Sequence, residues 1–232
     1  MTVFKAGLEP AFSFPRAAVG IQRQVRYPDQ VSAGAETDQR RTDGVSDPGT
    51  TIEPNPDGHL IEYIDFAPSH ELLEPLLREL FEQHWRSLVF GYCIQGAVFE
   101  LEATEPPRVS LLDGYLTVDH GRGHLHICIG EHRGSALNPT PPELAAWRRV
   151  GRAAWYRALN RERAPVSWGL RLWNGRGEQM LTVFFPNPYY DPAMRRQRPD
   201  WDRLALWNQL RARHLGLPPD PPGPETTLDP HD

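Results

Sequence analysis

Lysine is almost missing from this chain. Lys5 is the single lysine among 25 Lys and Arg residues, a bias that fits a GC-rich coding sequence better than a function. Cysteine is nearly as scarce. Cys93 and Cys128 are the two cysteines of 232 residues, too few for the disulfide framework of a small secreted scaffold. Long apolar runs are lacking as well, and no stretch approaches the roughly 18 residues of a membrane-spanning helix. Residues 1–20 contain no continuous apolar segment and are interrupted by Pro10 and Pro15, so they do not read as a signal peptide. The expected location is a reducing cytoplasm, with both thiols free and no membrane partner. Charge of one sign is not in excess. The net charge of −5 argues against the basic field of a protein that coats nucleic acid. Several motifs are absent too: a Walker or Rossmann glycine loop, a Gly-x-Ser-x-Gly elbow, a CxxC pair and an HExxH helix. Their absence disfavours nucleotide-driven chemistry, common serine hydrolysis, thioredoxin-like exchange and zincin proteolysis.

What is present divides the chain into three parts. Residues 1–57 are expected to be a largely disordered or loosely packed arm, because 22–58 are rich in Asp, Gly, Thr, Ser, Pro and Arg and poor in large apolar side chains. Residues 58–215 are expected to fold as one domain. Residues 216–232 hold six prolines and read as a proline-rich tail.

Within the body, Leu60–Phe66 reads as a strand. Ser69 caps an expected helix through Trp85, with Leu72, Leu73, Leu76, Leu77, Leu80 and Phe81 at helical spacing and Pro75 either kinking it or marking its first turn. The period then changes to two. Strands are expected at 87–94, 97–103, 109–112, 115–118 and 124–129, with Asp113-Gly114 as a hairpin turn. Thr140-Pro-Pro-Glu143 reads as a helix start, and the helix is expected to run to about Asn160. Its Arg148, Arg149, Arg152 and Arg157 make it basic. Strands at 166–173 and 179–186 flank Asn174-Gly175. Asp200 caps a last helix that Gly216 and Pro218 stop. Runs of strands with tight turns imply an α+β fold, a mainly antiparallel β-sheet covered by about three α-helices.

The densest chemical cluster is Asp119–His132. On a strand, His124, His126 and Cys128 share one face, about 7 Å apart at each step, and Leu125, Ile127 and Ile129 share the other. His120 and His132 flank the strand across glycines. Imidazole and thiolate donors held on a rigid strand are what a transition metal (iron, zinc or copper) requires. The expected ligands are therefore His124, His126, Cys128, His132 and His120. Glu131 is the candidate acid or base, and Cys128 is a candidate nucleophile if a histidine activates it. A second polar and aromatic group, Arg171, Trp173, Asn187 and Tyr189, surrounds the late hairpin and its stiff Pro-Asn-Pro loop, and could line a ligand pocket. The same residues admit two other readings. One is a metal-free module that binds a small ligand or a tetrapyrrole such as haem, with histidine as a partner. The other is a protein-interaction module using the arginine-rich helix and the proline-rich tail. Whether it is an enzyme, and how many copies assemble, stays open.

His124-x-His126-x4-Glu131 matches the middle of the first cupin motif. The flanking glycines are replaced by Val118 and Asn138, no second motif follows, and long helices do not fit a jelly roll, so a cupin is rejected. The segments Ser110–Val118, Ser167–Asn174 and Leu181–Pro188 resemble uncharacterised bacterial hypothetical proteins of similar length, over most of residues 60–215. That resemblance implies no function and no site.

Overall fold

The computed structural model describes residues 49–55, 59–94 and 97–223. Twelve strands occur there: β1 (Thr50–Pro54), β2 (Leu60–Phe66), β3 (Val89–Ile94), β4 (Ala97–Leu101), β5 (Arg108–Leu112), β6 (Tyr115–Asp119), β7 (His124–Cys128), β8 (Gly134–Ser135), β9 (Asn138–Pro139), β10 (Val150–Leu159), β11 (Pro165–Asn174) and β12 (Gln179–Phe184). The helices are α1 (His70–Arg78), α2 (Pro142–Arg148) and α3 (Ala205–Leu215). A seven-stranded sheet has the order β1-β2-β10-β11-β12-β3-β4, and every pairing in it is antiparallel. A smaller sheet has the order β5-β6-β7, and β8 and β9 form a short hairpin. The fold is α+β, with an antiparallel sheet at its centre.

The large sheet has two unlike faces. On one, Ile64, Phe90, Ala153, Trp155, Leu170, Leu172 and Val183 join Leu73, Leu76, Leu77 and Leu80 of the first helical segment and Trp207 and Leu210 of α3 in a continuous core. Leu116, Val118 and Ile127 of the small sheet complete it. On the other face a separate cluster of Ile61, Tyr63, Ala154 and Tyr156, with Trp173 against it, draws on strands alone. That split follows from strand alternation, since the register pairs Tyr63 with Tyr156 and Ala154 with Arg171 on one face.

The expected long helix over 140–160 is corrected by the structure. α2 ends at Arg148, and residues 150–159 form β10, a central strand between β2 and β11. The Ala- and Arg-rich run has good helix formers, but tertiary pairing overrides that preference. Arg152 bonds Asp65 through Nε at 2.6 Å and Glu53 through Nη2 at 2.9 Å, and Arg157 pairs with Glu62. The basic helix is thus divided, and two of its arginines serve cross-strand ion pairs. Thr140 does not cap α2 with its side chain; Pro141 occupies the cap.

Pro75 lies inside α1 and cannot donate a backbone hydrogen bond. The helix widens into a π-turn over Glu79–Gln83 soon afterwards. Glu79 is buried in that turn and is paired with Arg213 and His214 of α3, the latter at 2.9 Å. β1 falls within the segment read as an arm and hydrogen-bonds along β2. At the far end, Asp220 accepts from Trp207 Nε1 at 3.1 Å and pairs with Arg211 and Arg157, which holds the first residues after α3 against the body.

Candidate functional site

The Asp113-Gly114 turn is built as its sequence predicts. Both residues have positive φ, 47° and 78°, the geometry of a two-residue hairpin that follows the twist of its strands. Gly114 O accepts from the N–H groups of Ile129 and Gly130 at 2.9 and 3.0 Å, so the end of β7 is tied to the turn. A side chain at Gly114 would collide with the Glu131 carbonyl. The Asp113 carboxylate accepts from the N–H groups of Arg133 and Gly134 at 2.8 and 2.9 Å, and its Oδ2 lies 2.7 Å from His132 Nδ1. These backbone bonds first, and His132 in addition, hold the Asp113 carboxyl below the usual range. His132 Nε2 lies 3.0 Å from both Thr140 Oγ1 and Arg148 Nη1. The network assigns the Nδ1–H tautomer, with Nε2 as acceptor.

This braced loop forms one wall of an open groove of about 760 Å³, with Pro68–Glu71, Leu111, Gly114, Ile129–Glu131 and Arg149–Gly151 around it. A second concavity of about 380 Å³ continues past Glu131 and Arg149 towards His132, Thr140 and Ala145. The first volume lies in the ordinary range for small-molecule sites, about 300–1,000 Å³. His70 stands at its edge. His70 Nε2 is 3.1 Å from Glu74 Oε2, and Glu74 also accepts from Arg78 Nε at 2.8 Å. His70 Nδ1 is buried beside Gly130 and has no hydrogen-bond partner among the described residues. A neutral ring whose Nε2–H faces Glu74 leaves a lone pair on Nδ1. Arg149 is exposed, and no carboxylate among the described residues lies within ion-pair distance of it. The groove therefore combines apolar Leu111, Ile129 and Val150 with the Glu71 and Glu131 carboxylates, a cation and an oriented imidazole.

The metal array expected on β7 is not seen among the described residues. Among the described residues, no group of three or more His, Cys, Asp and Glu side chains converges as an ion would require. His124 and His126 do share a face, with ring centroids 4.9 Å apart, but that face is exposed. His126 Nδ1 is 2.7 Å from Thr117 Oγ1. His120 meets the edge of Phe90 at 6.1 Å. Cys128 is buried, its thiol faces Gly130 O at 3.7 Å, and burial pushes its pKa up. His132 has both ring nitrogens engaged in the loop network. The reason is the strand's own alternation. Leu125 and Ile127 take the inward face, so the two histidines point to solvent rather than into a closed shell. Glu131 is exposed and bonds Arg133 at 2.6 Å, which holds its carboxyl low. Cys93 and Cys128 sit in different sheets, and both thiols are free.

The four residues expected to line one pocket are divided between the sheet's faces. Arg171 and Trp173 lie with the Tyr63–Tyr156 cluster. Asn187 locks its own loop, donating from Nδ2 to Val166 O at 2.7 Å and accepting from Tyr189 N–H at 3.0 Å. Tyr189 is buried on the helical side against Trp168 and Trp201. His70, Glu74, Arg149 and Thr140 of the groove and its brace were not among the expected residues. The His70–Glu74 spacing of four on a helix was the available signal.

No described helix is long and apolar enough to cross a membrane. Two solved structures of ChuX, one titled as the heme-binding protein, are similar to this chain at TM-scores of 0.38. They are 15% and 13% identical, and the matches cover 72% and 73% of this chain and 78% and 79% of those chains. At that level the likeness carries no ligand over to this protein. No curated protein matches the sequence. A family model matches residues 50–216, most of the described body, and the chain belongs to that family, the family of unknown function DUF7676.

Proposed function

We propose that the protein is a small-molecule-binding module, and that the groove between α1 and the Asp113 turn takes an amphipathic anionic ligand of the tetrapyrrole class. The observation that carries the reading is His70. Its Nε2 is oriented by Glu74 while its buried Nδ1 is unpartnered among the described residues, at the edge of a groove that also presents Arg149. An imidazole fixed through one nitrogen by a carboxylate is the arrangement that raises the basicity of the other. Leu111, Ile129 and Val150 would meet the apolar body of such a ligand, and Arg149 its carboxylates. With its ring turned so that Nδ1, buried against Gly130, meets the groove, His70 would hold the ring system's metal, which supplies coordination and redox chemistry when bound.

The test is an absorbance titration of haemin into the full chain, repeated with His70→Ala and Arg149→Gln. The expected result is a saturable shift of the main absorption band. Each variant should weaken binding by about tenfold, the equivalent of about 1.4 kcal/mol. A titration without saturation, or equal affinity in both variants, overturns the reading.

A further inference from the structure

Thr140 is followed by Pro141 and Pro142, which bias its backbone to the extended region at the entrance to α2. Its N–H donates to Arg133 O at 2.8 Å, which ties the residue to the loop that carries His132. The hydroxyl is turned to the same loop. Oγ1 lies 3.0 Å from His132 Nε2, and His132 Nδ1 lies 2.7 Å from Asp113 Oδ2. An added Cβ at Gly134 would stand 2.7 Å from the hydroxyl oxygen, so glycine there keeps its place open.

Carboxylate, imidazole and hydroxyl in that order make a hydrolytic triad, which is recognised by geometry and roles rather than by position in the sequence. The Asp113 carboxylate, kept ionised chiefly by the Arg133 and Gly134 N–H groups, accepts from Nδ1–H and leaves Nε2 as the acceptor facing the hydroxyl. Base and hydroxyl are also accessible. His132 and Thr140 both line the concavity of about 380 Å³, with Pro142, Ala145 and Ala146 of α2 as its apolar wall. That volume and those small side chains suit a short acyl chain. Arg148 Nη1 stands 3.0 Å from the same Nε2. An oxyanion is a stronger acceptor for a guanidinium than a neutral imidazole. Arg148 is exposed, so its end can turn to such an oxygen and free the Nε2 lone pair for a proton.

We infer that Thr140, His132 and Arg148 form a hydrolytic site for small acyl esters, with Asp113 as the residue that positions His132. Thr140 Oγ1 adds to the ester carbonyl carbon as its proton passes to Nε2, and Arg148 faces the oxyanion. The carbon–oxygen bond to the leaving alcohol breaks, and that oxygen takes the proton from Nε2. Water then adds to the acyl-threonine carbonyl, again losing a proton to Nε2. The bond to Oγ1 breaks, and Oγ1 recovers its proton. The sum is ester plus water to acid plus alcohol, with no change of oxidation state. None of these four residues lines the groove, so the inference does not rest on the reading given to it.

The test uses 4-nitrophenyl acetate and the full chain. Release of 4-nitrophenolate should saturate with substrate. Thr140→Val and His132→Gln should each lower kcat by at least about a hundredfold, and Thr140→Ser should retain activity. His126→Ala removes an exposed imidazole elsewhere and should leave the rate within about twofold, which separates a site from general catalysis by surface histidines. A fluorophosphonate, which loses fluoride to a reactive hydroxyl and stays attached, should mark Thr140 in peptide mass spectrometry. Circular dichroism checks that the variants are folded. If Thr140→Val or His132→Gln is not, the position marked in the unaltered protein decides. Absence of saturation, a mark on another residue or on none, or full activity in folded Thr140→Val or His132→Gln each overturns the inference.

Discussion

His132 Nδ1 and Asp113 Oδ2 lie 2.7 Å apart, joining a hairpin turn to a loop nineteen residues further along the chain. The same carboxylate takes two backbone N–H groups, so one short side chain organises the wall of the groove. Its pKa is lowered, chiefly by the Arg133 N–H and also by Gly134 and His132. A depressed carboxyl contributes stability that is present above its unfolded pKa and is lost as pH falls through the folded one. The loop should therefore hold at neutral pH and loosen below about pH 4. Asp113→Asn should produce the loosening at neutral pH. Hydrogen exchange at the Arg133 and Gly134 amides measures both, and unchanged exchange in the variant would contradict this account.

The exposed His124 and His126 pair should be dispensable for the fold. Its rings touch each other and Thr117 on the solvent side of β7, so replacement of both by Ala should change stability by no more than about 0.5 kcal/mol. Urea unfolding monitored by tryptophan fluorescence reads the difference. A loss of several kcal/mol would mean that the pair anchors something in solution beyond the contacts described.

Trp155 should behave oppositely. It is fully buried in β10, with ring centroids 5.0 Å from Trp207 and 5.4 Å from Phe185. Trp155→Ala should cost about 3–5 kcal/mol, seen as a lowered urea midpoint. A helix over 140–160 would also have placed Trp155 inward, and for that reason this strand was not legible. Trp147, Ala154, Trp155 and Ala158 satisfy helical spacing, and alanine and arginine favour helix locally. What decides for strand are partners far away: Ile64 and Tyr63 on one side, Leu170 and Gly169 on the other. By contrast, the Asp113-Gly114 turn, the first amphipathic helix and the period-two runs carry their signals locally, and they stand where the sequence puts them.

Glu79 presents a buried charge whose partners lie in α3. Glu79→Leu removes the acceptor for Arg213 and His214 and leaves a buried imidazole without its partner. Breaking a fully buried pair costs about 3–5 kcal/mol, and the half-exposed Arg213 reduces the expectation to about 2–3 kcal/mol. Thermal unfolding should show a lower midpoint in Glu79→Leu than in Arg213→Ala, because only the first change strands His214. The reverse order would place the stabilisation with Arg213 instead.

The candidate site was legible only in part. The expected cluster and the groove adjoin along the chain: Gly130 and Glu131 line the groove, and His132 borders the neighbouring concavity. Donor type and sequence spacing could not reveal which nitrogens are already engaged. Asp113 and Thr140 occupy the His132 ring, whereas His70, isolated in sequence from the cluster, keeps a nitrogen without a partner among the described residues.

The groove's floor allows a test that separates backbone strain from packing. Gly114 and Gly177 have nearly the same φ, 78° and 77°. Alanine at either position should lose about 1 kcal/mol to the left-handed backbone. At Gly177 nothing lies within 4 Å of the added methyl, so the cost should end there. At Gly114 the methyl would stand 2.5 Å from the Glu131 carbonyl oxygen, where real Cβ atoms are not found, so the turn must separate from the end of β7. Gly114→Ala should thus be about 1–3 kcal/mol worse than Gly177→Ala in denaturant unfolding. It should also weaken haemin binding, which Gly177→Ala should leave unchanged. If the two variants lose equal stability, the Gly114–Gly130 contact is not what holds the groove's floor. If Gly114→Ala unfolds more easily yet binds haemin as before, the ligand does not use that floor.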